Sequence, residues 1–99
     1  MWITLSGLGV GETDLTAEQY QRSAVIESAI AAHGRAVDLA ASQTGAQYRQ
    51  EQLDDALRVS MRLSSVIAAS GLPDRLQSYH TSNLQVVRRR LGAAMGVRT

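Results

Sequence analysis

The C-terminal stretch from Asp74 to Met95 reads DRLQSYHTSNLQVVRRRLGAAM. Its apolar positions and one histidine recur at steps of three and four, which is the spacing of one helical face. They are Leu76, His80, Leu84, Val87, Leu91 and Ala94, with Met95 beside them. The same region carries Arg75, Arg88, Arg89, Arg90 and Arg98, and no acidic residue follows Asp74. The stretch therefore predicts a helix with one face to bury and a positive surface left over.

The first helix is predicted from the signals at its start. Thr16 and Gln19 have the spacing of a capping box, in which each side chain bonds the backbone N–H of the other residue. Leu15 is placed to pack on Tyr20 across the cap, as in a hydrophobic staple. The apolar pattern continues from there, so we predict a helix over about residues 16–42.

This first helix carries two neighbouring apolar stripes. One consists of Ile26, Ile30, His33, Val37 and Ala41, and the other of Val25, Ala29, Ala32, Ala36 and Leu39. Together they cover more than half of the circumference, whereas an ordinary surface helix buries a narrower band. The pattern favours packing on two sides, one within the fold and one between subunits. Gly34 costs about 1 kcal/mol relative to alanine, unless another backbone approaches there.

A second helix is predicted over about residues 47–70, with a buried face of Leu53, Ala56, Leu57, Ser60, Leu63 and Ile67. Gly71 and Pro73 end it, because glycine accepts the left-handed conformation of a helix cap and proline cannot continue a helix. The third helix covers about residues 74–95. Three helices with short connections predict an all-α three-helix bundle. Residues 16–99 would form one helical domain, and residues 1–15 an extended N-terminal arm.

Composition limits both the core and the chemistry. The chain has 99 residues, enough for one domain, and its apolar content is mainly Ala, Val, Leu and Ile with no Phe. Small side chains bury little area each, which favours an oligomer that completes the burial. There is no cysteine, hence no disulfide or thiolate metal site. Without a leader or an apolar run near the roughly 18 residues of a membrane span, we expect no membrane partner and a cytoplasmic location, or the virion for a phage protein.

Charge is sorted along the chain. Residues 1–74 hold all nine acidic residues and five arginines, a balance of −4. Residues 75–99 hold five arginines and no acidic residue, a balance of +5. This polarity favours head-to-tail contact between copies, or an anionic partner at the C-terminal end.

The N-terminal arm opens with the apolar run from Met1 to Leu5, followed by glycines at positions 7, 9 and 11. A dinucleotide-binding loop needs a different glycine spacing and a βαβ unit, and a P-loop needs a Gly-Lys pair. Neither is present. We interpret the segment as an arm whose Trp2 and Ile3 anchor it on a neighbouring subunit.

No arrangement of residues indicates catalysis. His33 and His80 lie on apolar stripes, without the second histidine or the carboxylate one turn away that a metal site or a catalytic base would need. We interpret both as core or interface histidines with satisfied hydrogen bonds. The adjacent Asp54 and Asp55 point about 100° apart on a helix. We therefore predict a protein that is not an enzyme and uses no cofactor or metal.

The consecutive Arg88, Arg89 and Arg90 are the main alternative source of function. They fan out by about 100° each, so they cannot form one flat patch. Arg88 and Arg89 are predicted to point outward, and Arg90 to lie along the edge of the apolar face. They suit solubility and the helix dipole, nucleic-acid phosphates, or an acidic protein face. The candidate interaction residues are Trp2, Ile3, Arg75, Arg88, Arg89, Arg90 and Arg98.

The opening Met1-Trp2-Ile3-Thr4-Leu5 resembles the start of small adaptor proteins encoded in the head and tail gene clusters of tailed phages. The later order is similar as well: a helix with Asp55-Ala56-Leu57-Arg58, a turn, and a tyrosine-containing helix rich in Leu and Arg. The resemblance to head-to-tail adaptors, or connectors, implies a ring-forming structural subunit between capsid and tail. Its arm and helix ends would contact neighbouring subunits, and no catalytic or binding residue carries over.

The leading hypothesis is a homo-oligomeric structural adaptor for virion assembly, whose partners are copies of itself and neighbouring assembly proteins. One alternative is a small DNA-binding or regulatory protein that uses Arg75, Arg88, Arg89 and Arg98. Another is an inhibitor that binds a single protein partner.

Overall fold

A computed structural model describes residues 16–96. Within this range the chain forms three α-helices, α1 (Ala17–Ala41), α2 (Ala46–Ala68) and α3 (Asp74–Ala94). Each helix packs against both others, which confirms the all-α three-helix bundle. The arm predicted for residues 1–15 lies outside the described residues. None of the helices between residues 16 and 96 is long and apolar enough to cross a membrane.

The helix ends follow the local signals in the sequence. Thr16 Oγ1 accepts a hydrogen bond from the Gln19 backbone N–H at 3.0 Å, and the Thr16 N–H donates to Gln19 Oε1 at 3.1 Å. The predicted capping box is thus confirmed. Gly71 has a φ of 72°, the left-handed conformation expected after α2. Pro73 precedes α3, where the Gln77 side chain donates to the Leu72 carbonyl at 2.9 Å.

The core lies between the three helices and is mainly aliphatic, with six buried polar residues beside it. Its buried apolar members are Ile26, Ile30, Val37, Ala40, Leu53, Ala56, Leu63, Ile67, Leu72, Leu76, Tyr79, Leu84, Val87 and Leu91. Two residues that were predicted to be buried, Ala41 and Leu57, are exposed instead. Conversely, Tyr79 and Asn83 are buried, although neither belongs to the predicted apolar face of α3.

Gly34 lies where a side chain of α3 crosses α1. A Cβ atom at this position would lie 2.9 Å from Arg90 Nη2 and 3.4 Å from Val87 Cγ2. Arg90 passes over the glycine to pair with Asp38, with Nη1 and Oδ2 3.0 Å apart. The glycine therefore makes room for a guanidinium group, and not for another backbone as the sequence suggested.

Candidate interaction surface

A cluster of polar side chains is buried between α1 and α3. Ser23 Oγ lies 2.7 Å from His80 Nε2, and Tyr79 donates through its hydroxyl to Glu27 Oε1 at 2.8 Å. Asn83 is buried as well, one turn from Tyr79 on α3, and its Nδ2 has no hydrogen-bond partner among residues 16–96. Burial lowers the pKa of His80 to about 4, and burial with the Glu27 contact raises the pKa of Tyr79 well above its usual value. Both rings are therefore uncharged at pH 7.

Ser23 and His80 provide a hydroxyl group and an imidazole, as a nucleophile and a general base would. Their surroundings do not suit catalysis. Neither side chain is accessible to solvent, so no substrate reaches the hydroxyl. His80 Nδ1 has no hydrogen-bond partner among residues 16–96, whereas a catalytic histidine is oriented by a third group. Over the same residues, no group of three or more histidine, aspartate or glutamate side chains could hold a metal ion. The pair has the geometry of a packing contact between two helices.

Arg88 reaches sideways to α2 and does not point outward, as the sequence predicted. Its Nε donates to Ser60 Oγ at 2.7 Å and its Nη2 to the Ser60 carbonyl at 3.4 Å. The arginine is half-buried, and Ser60 is fully buried. Arg88 can adopt this orientation because serine is small and leaves space for the guanidinium group between the helices. Arg88 thus satisfies a buried hydroxyl and carbonyl.

The other candidate arginines are not brought together. Arg90 pairs with Asp38 of α1, as described above, whereas Arg89 is exposed. Arg75 lies near the opposite end of α3, about 20 Å from Arg89 along the helix, and it too has an interaction. Of these four arginines, Arg75 is therefore far from the others, and Arg88 and Arg90 are held by contacts with α2 and α1. The remaining candidates, Trp2, Ile3 and Arg98, lie outside the described residues.

An apolar groove runs between α1 and α2 on the outside of the bundle, with a volume of about 410 Å³. We call it the α1–α2 groove. Its lining consists of Ala29, Ala32, His33 and Ala36 from α1 and of Gln52, Asp55, Ala56, Val59 and Leu63 from α2. Most of these side chains are apolar and small, so the two helix backbones are close to the surface along the groove.

Exposed aliphatic side chains extend the α1–α2 groove at its edges. Val25 and Leu39 continue the alanine row of α1 and are 63% and 65% exposed. Val66 continues the row of Val59 on α2 and is also exposed. Apart from Ala29, which is partly buried against the core, the second stripe predicted for α1 is therefore left exposed by the three-helix bundle. The sequence pattern identified this stripe, and on α2 it placed Val59 and Val66 beside the buried face without indicating that they extend a groove.

His33 lies at the bottom of the α1–α2 groove. Its ring is buried, and Nε2 has no hydrogen-bond partner among the residues that the structure describes. Burial, and to a lesser extent the charge of Arg88, lowers the pKa of His33. The ring is therefore neutral at pH 7. The burial that was predicted for this histidine is confirmed, but not its satisfied hydrogen bonding.

No protein-family model matches the chain. No curated protein and no solved structure matches it either. Any functional proposal must therefore rest on the structure itself. The surface that we use for it is the α1–α2 groove with its aliphatic edges.

Proposed function

We propose that the protein is a non-enzymatic structural protein that assembles with copies of itself through the α1–α2 groove and its edges. One observation carries this proposal: the apolar stripe of α1 from Val25 to Leu39 faces solvent in the bundle. Soluble monomers rarely expose contiguous apolar patches larger than a few hundred Å², and the largest such patch is often a functional one. Burial of this surface in an oligomer would recover about 25 cal/mol for each Å² of apolar area.

Two features of the sequence support a copy of the same chain as the partner. The balance of −4 over residues 1–74 and of +5 over residues 75–99 gives each copy oppositely charged segments, which can attract those of another copy. The apolar content of the chain is mainly Ala, Val, Leu and Ile with no Phe, which favours an assembly that adds buried area to each bundle.

The second part of the proposal concerns the kind of particle in which the protein assembles. The run from Met1 to Leu5 and the order of the later helices resemble head-to-tail adaptors of tailed phages. The protein would then be a homo-oligomeric adaptor of a phage-like particle, located in the virion and in contact with neighbouring assembly proteins. Isolation of the protein with the particles of its own phage, in fixed stoichiometry with their portal or tail proteins, would support this setting.

Self-association is tested by sedimentation velocity on the full chain over a wide concentration range. Ala32→Glu and Val59→Glu each place a charge on the apolar surface, and both sites are exposed, so the bundle should still fold. Burying an unpaired charge at an interface costs several kcal/mol, so we expect association at least about tenfold weaker. A full chain that stays monomeric at every concentration would contradict the proposal.

Met61→Glu is the matched control for these variants. Met61 is 59% exposed and lies about 200° around α2 from Val59, away from the α1–α2 groove. The substitution removes a comparable exposed apolar side chain and adds the same charge. It should leave the association unchanged, and an effect equal to that of Val59→Glu would place the interface elsewhere.

A further inference from the structure

The α1–α2 groove is a small interface by itself. The apolar row of α1 from Val25 to Leu39 rises about 21 Å, and two packed helices together are about 20 Å wide. The face therefore measures roughly 400 Å², whereas a standard interface buries about 800 Å² on each partner. An assembly built on this groove needs a further segment of the chain to complete the contact.

The N-terminal segment has the composition for that contact. Residues 1–11 contain no charged side chain, and they include Trp2, the one tryptophan of the chain, next to Ile3. The groove has apolar walls and a volume of about 410 Å³. Clefts of roughly 300–1,000 Å³ bury small organic ligands, so an indole ring and a neighbouring aliphatic side chain fit.

The proposed self-association makes the groove of another copy the expected site. An extended chain spans at most about 3.5 Å for each residue, so residues 6–14 can reach up to about 30 Å. That is far enough for residues 1–5 to contact a second copy.

We infer that residues 1–5 of one copy occupy the α1–α2 groove of a second copy, with Trp2 as the anchoring side chain. The inference rests on the proposed self-association and names the contact that produces it. The donating segment and the receiving groove are different surfaces, so the contact is heterologous. Repetition of a heterologous contact closes a ring or extends a filament.

The single tryptophan makes a direct test available. Trp2 emission, excited selectively, is recorded on the full chain at concentrations below and above the onset of association. The indole should move to an apolar environment as copies associate, which shifts the emission to shorter wavelength. Ala32→Glu and Val59→Glu should abolish this shift, whereas Met61→Glu should preserve it. Deletion of residues 1–12 should abolish association while circular dichroism shows unchanged helicity.

Four results would overturn the inference, and each has a different meaning for the proposed function. Association without any emission shift, or association that survives deletion of residues 1–12, would show that copies meet without the segment; the proposed function would then stand. A shift that is independent of concentration would place Trp2 in the groove of its own chain. A full chain that never associates would remove the proposed function and this inference together.

Discussion

Ser23 Oγ and His80 Nε2 lie 2.7 Å apart in a part of the bundle that is closed to solvent. The contact joins α1 to α3 and belongs to a small group of polar side chains buried beside the aliphatic core. The second ring nitrogen of His80, Nδ1, has no partner among residues 16–96. A proton on this nitrogen would therefore create a buried cation with one acceptor only, which is costly in an apolar surrounding.

We predict that the protein loses stability as the pH falls from about 6.5 towards 4. His80 titrates near 6.5 in the unfolded chain, and burial lowers its pKa to about 4 in the fold. The stability that neutral His80 contributes to the fold is fully present above pH 6.5. It is lost as the pH falls, because the unfolded chain binds the proton at a higher pH than the folded chain does. The difference between the two pKa values corresponds to about 3 kcal/mol in the free energy of unfolding. Urea denaturation at pH 7, 6 and 5 measures the loss.

The His80→Gln variant is the control for this prediction. Its amide can still bond Ser23 but does not titrate, so the free energy of unfolding should depend far less on pH between 7 and 5. His33, whose pKa is also lowered, should account for the dependence that remains. An unchanged pH dependence in His80→Gln would show that another group is responsible.

We predict that Gly34→Ala is tolerated, because the obstacle to a Cβ atom is the mobile end of Arg90. Alanine stabilises a helix by about 1 kcal/mol relative to glycine. Displacing Arg90 from Asp38 offsets part of this, since an exposed ion pair contributes at most about 1 kcal/mol. When Arg90 has already been replaced by alanine, Gly34→Ala should raise the free energy of unfolding by the full amount of about 1 kcal/mol. A double-mutant cycle by urea denaturation measures the difference.

The opposite outcome for Gly34→Ala would be informative as well. Destabilisation by more than about 1 kcal/mol in both backgrounds would identify Val87, whose Cγ2 lies 3.4 Å from the added Cβ, as the true obstacle. The close contact would then be fixed by the core and not by the arginine.

We predict that Arg88→Ala is much more destabilising than Arg89→Ala. Arg88 donates two hydrogen bonds to the buried Ser60, and their loss should cost about 1–3 kcal/mol. Arg89 is exposed, so its replacement should change stability by no more than about 0.5 kcal/mol. The two variants have equal net charge, and thermal or urea denaturation compares them directly. Equal effects would mean that the contact with Ser60 contributes nothing.

The helices were predictable because their signals lie within a few residues of each other. The Thr16–Gln19 capping box, the left-handed Gly71 and the apolar spacing of α3 are all local, and the structure contains each of them. Intrinsic propensity and helical periodicity are sufficient for such features.

The positions of the functional candidates required tertiary information. Arg88 lies outside the apolar spacing of α3, so periodicity assigns it to solvent; only the approach of α2 brings Ser60 within reach. The α1–α2 groove also arises from the way in which two helices pack. Its α1 side follows from the sequence, but the exposure of Val59 and Val66 depends on how two helices meet. Residue spacing within one helix contains no such information.

We predict weak binding to random duplex DNA, with a dissociation constant above the micromolar range even at low salt. To neutralise phosphates, Arg88 would have to leave Ser60, and Arg90 would have to leave Asp38. Fewer than three phosphates should then be neutralised, which gives a log–log salt slope shallower than about −3. Fluorescence anisotropy of a labelled duplex at several salt concentrations measures both quantities.

Two variants separate this outcome from the DNA-binding alternative. Arg89→Ala should remove most of the residual affinity, because Arg89 is exposed and, unlike Arg88 and Arg90, is not held by Ser60 or Asp38. Arg88→Ala should have little effect on binding despite its effect on stability. Micromolar affinity with a slope of about −3 or steeper, reduced by Arg88→Ala, would show that Arg88 exchanges Ser60 for phosphate. The arginines of α3 would then be a nucleic-acid interface, and self-assembly would lose its place as the leading proposal.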